Sequence, residues 1–158
     1  ADIAAAALDH AAERATEAGV ADRVQWVQAD LSSWEPDTCY DLVTTHYAHP
    51  AMPQLEFYDR IASWVAPGGT LLIVGHLHHE PAADGNEHGH EHGHVHGHGH
   101  EPDGPPPEAL ATAATITARL DPAQWEIVTA EQSQRTMSGP GHHETTIHDV
   151  VVRATRRN

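Results

Sequence analysis

Apolar positions along this chain recur with two periods. Residues 4–18 are alanine-rich, and Leu8, Ala12, Ala15 and Ala18 fall near one helical face. Gly19 stands where a left-handed C-terminal cap belongs, and Val20 is placed to pack back as in a Schellman motif. A second helix is predicted over residues 54–65, with Leu55, Tyr58, Ile61, Ala62 and Val65 at helical spacing. A third is predicted over residues 107–120, with proline in its first turn. The remaining apolar runs are short and β-like, at residues 24–27, 40–45, 70–74, 125–130 and 146–154. The run at 40–45 suits a strand buried on both faces. Strands and helices alternate, and the chain closes on two strands. That order predicts an α/β fold with an open, mostly parallel, Rossmann-like sheet. Ligands of such sheets bind beyond the carboxyl ends of the strands.

Four segments place polar chemistry at the ends of those runs. They are Ala1-Asp2-Ile3, Gln28-Ala29-Asp30-Leu31, Tyr40-Asp41-Leu42-Val43, and Val65-Ala66-Pro67-Gly68-Gly69 leading into Thr70-Leu71-Leu72-Ile73-Val74. An aspartate at the end of a strand can accept both hydroxyls of a ribose, and a second can hold an adenine amino group. Taken singly, Asp2 and Asp30 are equally at home as solvated carboxylates at helix N-termini. No glycine-rich strand-to-helix turn precedes Asp2.

In these segments, from Ala1 onward, the chain resembles the class I S-adenosylmethionine-dependent methyltransferases without their first strand and glycine loop. The resemblance implies a Rossmann-like sheet that ends in an antiparallel hairpin. It implies that Asp2 binds the ribose of S-adenosyl-L-methionine and that Ile3 packs on adenine. Asp30 then lies near the adenine amino group, with Leu31 as its packing neighbour. It further implies methyl transfer to a small-molecule acceptor, with the acceptor met after the fourth family strand. His46, Tyr47 and His49 stand there in this sequence. Histidine suits general-base work near neutral pH. A hydrogen-bonded loop histidine without chemistry reads equally well. Methyl transfer needs alignment more than acid–base help, so the sequence assigns no catalytic residue. The glycine loop holds the methionine half of the cofactor in this family. The 158 residues alone are therefore expected to be part of an enzyme, inactive, and poor at binding the cofactor.

Length fits one domain over residues 1–158. The formal charge of −15 disfavours nucleic acid as a partner. Every basic residue is arginine. The single cysteine, Cys39, excludes an internal disulfide, a zinc site built mainly of thiolates, and multi-thiol arsenic methylation. No apolar run is long enough to span a membrane, and no secretory signal is visible, so a cytoplasmic location is expected. Oligomeric state is open.

Residues 80–106 differ from the rest. They are rich in His, Gly, Glu and Pro and hold almost no core-forming side chains, which predicts a disordered insertion. His88, His90, His92, His94, His96, His98 and His100 alternate there with other residues. Neutral imidazole ligates zinc and nickel, and the alternating glycines let several rings fold around one ion. A fixed extended strand would hold same-face rings about 7 Å apart, too far for neat chelation. The tract is expected to offer interchangeable Zn²⁺ or Ni²⁺ sites, although low-complexity expansion without a role also accounts for it. The histidines of residues 46–49, 76–79 and 142–143 would also meet at one sheet edge, where convergence on an ion is one reading. Metal binding or buffering on an α/β scaffold is thus the rival to methyl transfer. A nucleotide-dependent oxidoreductase is a third reading, weakened by the same missing glycine loop.

Overall fold

A computed structural model describes residues 1–77, 111–138 and 144–158. Helix α1 spans Ala5–Glu17. It ends as its sequence predicts. Ala18 caps it, Gly19 takes a φ of +67°, and the Gly19 and Val20 amides donate to Thr16 and Ala15 carbonyls at 3.0 and 2.9 Å. This is the paired hydrogen-bond pattern of a Schellman cap.

Strand β1 spans Tyr40–His46, helix α2 Gln54–Ser63, strand β2 Val65–His76 and helix α3 Ala113–Thr117. Strands β3, Trp125–Ser138, and β4, Glu144–Arg156, follow. The four strands form one sheet in the order β1-β2-β4-β3. β1 and β2 are parallel, and β4 is antiparallel to both β2 and β3. The expected parallel pairing and closing hairpin are both present, and β3 and β4 run longer than their apolar cores. The outer edge of β1 has no strand partner among the described residues.

Burial alternates along β2. Leu71, Ile73 and Gly75 are buried on one face, while Leu72, Val74 and His76 are half-buried on the other. The buried face packs with Val150, Val152 and Ala154 of β4 under α2 and α3, which supply Phe57, Ile61 and Ile116. Strand pleat therefore sets a two-layer core on one side and sends His76 to the other.

Three expectations need correction. Residues 24–27 form no strand. They reach one isolated parallel bridge, Asp2 to Gln28, because Ala1–Ile3 gives way at once to the α1 helix and a ladder cannot extend. Helix α2 stops at Ser63 with Trp64 as its cap, so Val65 begins β2 instead of ending the helix. Within the described residues α3 starts at Ala113, capped by reciprocal hydrogen bonds between Thr112 and Thr115. That Thr-x-x-Thr box, and not the upstream proline, marks its start. The insertion at 80–106 lies wholly outside the described residues, and with it the histidines from His88 to His100. Among the described residues no helix is long and apolar enough to cross a membrane.

Candidate active site

Two groups of residues meet near the carboxyl ends of the strands. The first is built by the bridge at Asp2. The Asp2 amide donates to the Val27 carbonyl at 3.1 Å, and the Ala29 amide donates to the Asp2 carbonyl at 3.0 Å. The bridge sets the turns after Ile3 and Asp30 side by side. Asp2 Oδ1 accepts the Ala4 amide at 2.8 Å. Asp30 Oδ1 accepts the Ser32 hydroxyl at 2.7 Å and the Ser32 amide at 2.9 Å. Those two donors, the hydroxyl first, hold the Asp30 carboxyl below its ordinary range, so it is ionised at neutral pH. Asp2, Ile3, Asp30, Leu31 and His49 all line one cavity of about 400 Å³. Ile3 is 66% exposed at the rim of this cavity. Two carboxylates and two aliphatic side chains surround one cavity, a set that offers hydrogen-bond acceptors beside apolar surface.

The second group centres on Asp149, only 5% exposed. The register makes it the direct cross-strand partner of His76, and Arg135 lies diagonally across from it on β3. Asp149 Oδ2 accepts from Arg135 Nε at 2.6 Å and from the Tyr47 hydroxyl at 3.2 Å. This carboxylate bond is the main reason the Arg135 guanidinium pKa is raised. Asp149 Oδ1 is buried without a hydrogen bond, and His76 Nδ1 stands 3.4 Å away. The Tyr47 ring stacks on the His76 imidazole at 4.5 Å. Tyr47 has a φ of +55°, a strained value for an aromatic residue. Its amide bond to the Val74 carbonyl at 2.9 Å, its ring stack and its hydroxyl together fix that conformation.

His49 touches both groups. It lines the first cavity, and its ring lies 6.3 Å from that of His76 in near-parallel planes. Its Nδ1 is 3.1 Å from Oε1 of buried Gln54, whose amide donates to the Ala48 carbonyl at 3.0 Å. His46 is set apart. Its Nε2 is 3.0 Å from the Thr44 hydroxyl, and it lines a separate groove of about 430 Å³ beside the outer edge of β1, with Val27, Leu31 and Leu42. The histidines after β1 therefore divide, with Tyr47 and His49 on the Asp149 side and His46 on the groove side. Among the described residues no group of three or more His, Cys, Asp or Glu side chains is arranged to hold a metal ion. Asp149, Arg135 and Ser32 were not singled out from the sequence. The one available signal was a charged residue inside the apolar run Ile147–Val152.

Residues 1–69 match a family described as a methyltransferase domain. The whole chain also superposes on solved methyltransferase structures. One is a Thermoplasma acidophilum protein assigned as a methyltransferase, with a TM-score of 0.57, 12% identity, and coverage of 99% of this chain and 56% of that one. The chain thus resembles the class I methyltransferases in sequence and shares their fold. A protein of echinomycin biosynthesis, studied in the conversion of a disulfide bond into a thioacetal group, gives a TM-score of 0.54 at 14% identity over 98% of this chain and 64% of its own. The N-methyltransferase NodS from Bradyrhizobium japonicum WM9 gives 0.53 at 14% identity, over 99% of this chain and 71% of NodS. The chain therefore spans little more than half the length of the first of these methyltransferase-fold proteins. No curated protein matches it significantly in sequence.

Proposed function

We propose that this chain carries the adenosine-binding and acceptor-side parts of an S-adenosylmethionine-dependent methyltransferase acting on a small molecule. The observation that supports it is the cavity shared by Asp2, Ile3, Asp30 and Leu31, on a chain whose first 69 residues match a methyltransferase domain. The cofactor supplies an electrophilic methyl group when bound. The protein's part is to bind and align. Asp2 accepts the ribose hydroxyls, Asp30 faces the adenine amino group, and Ile3 and Leu31 cover the ring. Tyr47 and His49 lie towards the acceptor.

Adenosine tests the site directly, because these residues address the nucleoside and not the methionine half. Titration followed by NMR should show weak saturable binding of adenosine, with S-adenosylhomocysteine binding about as tightly. Asp2→Ala should weaken both by about 1–3 kcal/mol, through lost charge-assisted hydrogen bonds. Equal affinities for the wild type and the variant would remove Asp2 from the site.

Metal buffering draws its support from the composition of the tract His88–His100 alone, and that tract lies outside the described residues. That makes it the weaker reading.

A further inference from the structure

The Asp149 group is built for more than packing. A buried carboxylate commonly spends both oxygens on hydrogen bonds, because leaving one unpaired costs free energy. Here Oδ2 holds Arg135 and Tyr47, while Oδ1 is buried, without a hydrogen bond, and faces His76 Nδ1 at 3.4 Å. His76 is held against it by the β2–β4 register and by the stacked Tyr47 ring. Its side chain is 34% exposed, on the face of β2 opposite the α2–α3 core. A carboxylate beside one imidazole nitrogen selects the tautomer with the proton on that nitrogen.

From this geometry we propose that His76 is the proton acceptor of the methyl-transfer site, with Asp149 as its positioning residue. Asp149 keeps the proton on Nδ1 and leaves the lone pair on Nε2. The inference rests on the methyltransferase reading above and narrows its acceptor to an amine or hydroxyl whose reacting atom carries a proton. In the transfer, that nitrogen or oxygen forms a bond to the methyl carbon. The carbon–sulfur bond breaks with its electron pair remaining on sulfur, and the acceptor's proton passes to Nε2 of His76. Charge balances, since a sulfonium cation is consumed and an imidazolium cation appears beside Asp149. Tyr47, His49 and Asp149 face the His76 ring, and Arg135 reaches it through Asp149.

Nitrogen-15 NMR of the histidine rings tests the pair without any turnover. The His76 signals are assigned by their loss in His76→Gln. The wild type should show Nδ1 protonated and Nε2 bare. Asp149→Asn should invert this. Arginine only donates, so the new amide must turn its oxygen to Arg135 and its NH₂ to His76, which moves the ring proton to Nε2. Tyr47→Phe keeps the carboxylate and should leave the tautomer unchanged. A wild-type His76 protonated at Nε2, or an Asp149→Asn tautomer like the wild type, overturns the positioning role.

Methyl transfer to aniline, phenol and thiophenol by a form of the protein that carries the glycine loop, read as S-adenosylhomocysteine released, tests the use of the pair. Loss of His76 should slow aniline and phenol at least tenfold. Thiophenol, which ionises unaided, should be spared. Equal rates in His76→Gln for all three overturn the proton-acceptor role even if the tautomers behave. A glycine-loop-bearing protein that methylates none of the three, while Asp149→Asn still inverts the tautomer, overturns the acceptor class and keeps the pairing. Failure of the underlying methyltransferase reading shows separately, as no binding of adenosine.

Discussion

Phe57→Ala should destabilise the protein by about 3–5 kcal/mol, a large share of the roughly 5–15 kcal/mol that holds a domain of this kind together. Phe57 is fully buried. It sits on the inner face of α2, with its ring 5.8 Å from that of Tyr58, and it lines the groove beside β1. Truncation removes the largest fully buried side chain and leaves a hole between α2 and the sheet. The open groove gives the site some room to relax, which argues for the lower part of the range. Urea unfolding of the two proteins measures the difference. A loss under about 1 kcal/mol would mean that α2 closes over the gap and is not what anchors the layer.

Gly69→Ala is the second large effect, and it acts through the backbone. Val65 pairs with Tyr40, yet Thr70 pairs with Leu42, so Ala66–Gly69 is excess chain folded into a bulge against β1. A Cβ on Gly69 would lie 2.9 Å from the Ala66 carbonyl oxygen, 2.9 Å from Val65 Cγ1 and 3.0 Å from the Asp41 carbonyl oxygen. Two of the three are main-chain atoms, and Val65 is fully buried, so no flexible side chain can yield. Prising β1 from β2 should cost about 1–3 kcal/mol or more. Gly19→Ala is the comparison. Open space surrounds it, and only the φ of +67° opposes a side chain, at about 1–2 kcal/mol. Thermal melting should rank Gly69→Ala as the more damaging. The reverse order would show that the bulge has slack.

What could be read in the sequence was what local chemistry decides. The cap at Gly19 depends on a few neighbouring residues, and it formed as expected. The hairpin of β3 and β4 announced itself by composition, although its full length did not, because polar residues such as Gln132 and Gln134 extend the ladder through backbone pairing alone. Residues 24–27 show the limit of that approach. Their β-branched and aromatic side chains favour a strand, but a strand needs a partner long enough to pair with. That Asp2 and Asp30 line one cavity follows from the bridge between their segments, and each aspartate stands at the end of an apolar run. The Asp149 group was not legible in the sequence. It depends on His76 meeting Asp149 across an antiparallel register between strands far apart in sequence, and no spacing rule reports that. His46, Tyr47 and His49 looked equivalent by position. In the structure Tyr47, at a φ of +55°, and His49 lie against His76, while His46 lines the groove beside β1.

The free edge of β1 bears on how this polypeptide behaves in a tube. Tyr40 and Leu42 are 41% and 57% exposed beside a row of backbone groups that no strand covers among the described residues. Such an edge is a template for pairing with another copy. The formal charge of −15 opposes such pairing. The two forces respond differently to dissolved ions. Screening shortens the repulsion to about 10 Å at 0.1 M salt and leaves strand pairing and apolar contact almost untouched. Light scattering should therefore show a solution that is clear and dispersed in dilute buffer and grows larger particles as sodium chloride is added. A charged residue at position 42, as in Leu42→Glu, should raise the salt concentration at which that growth begins.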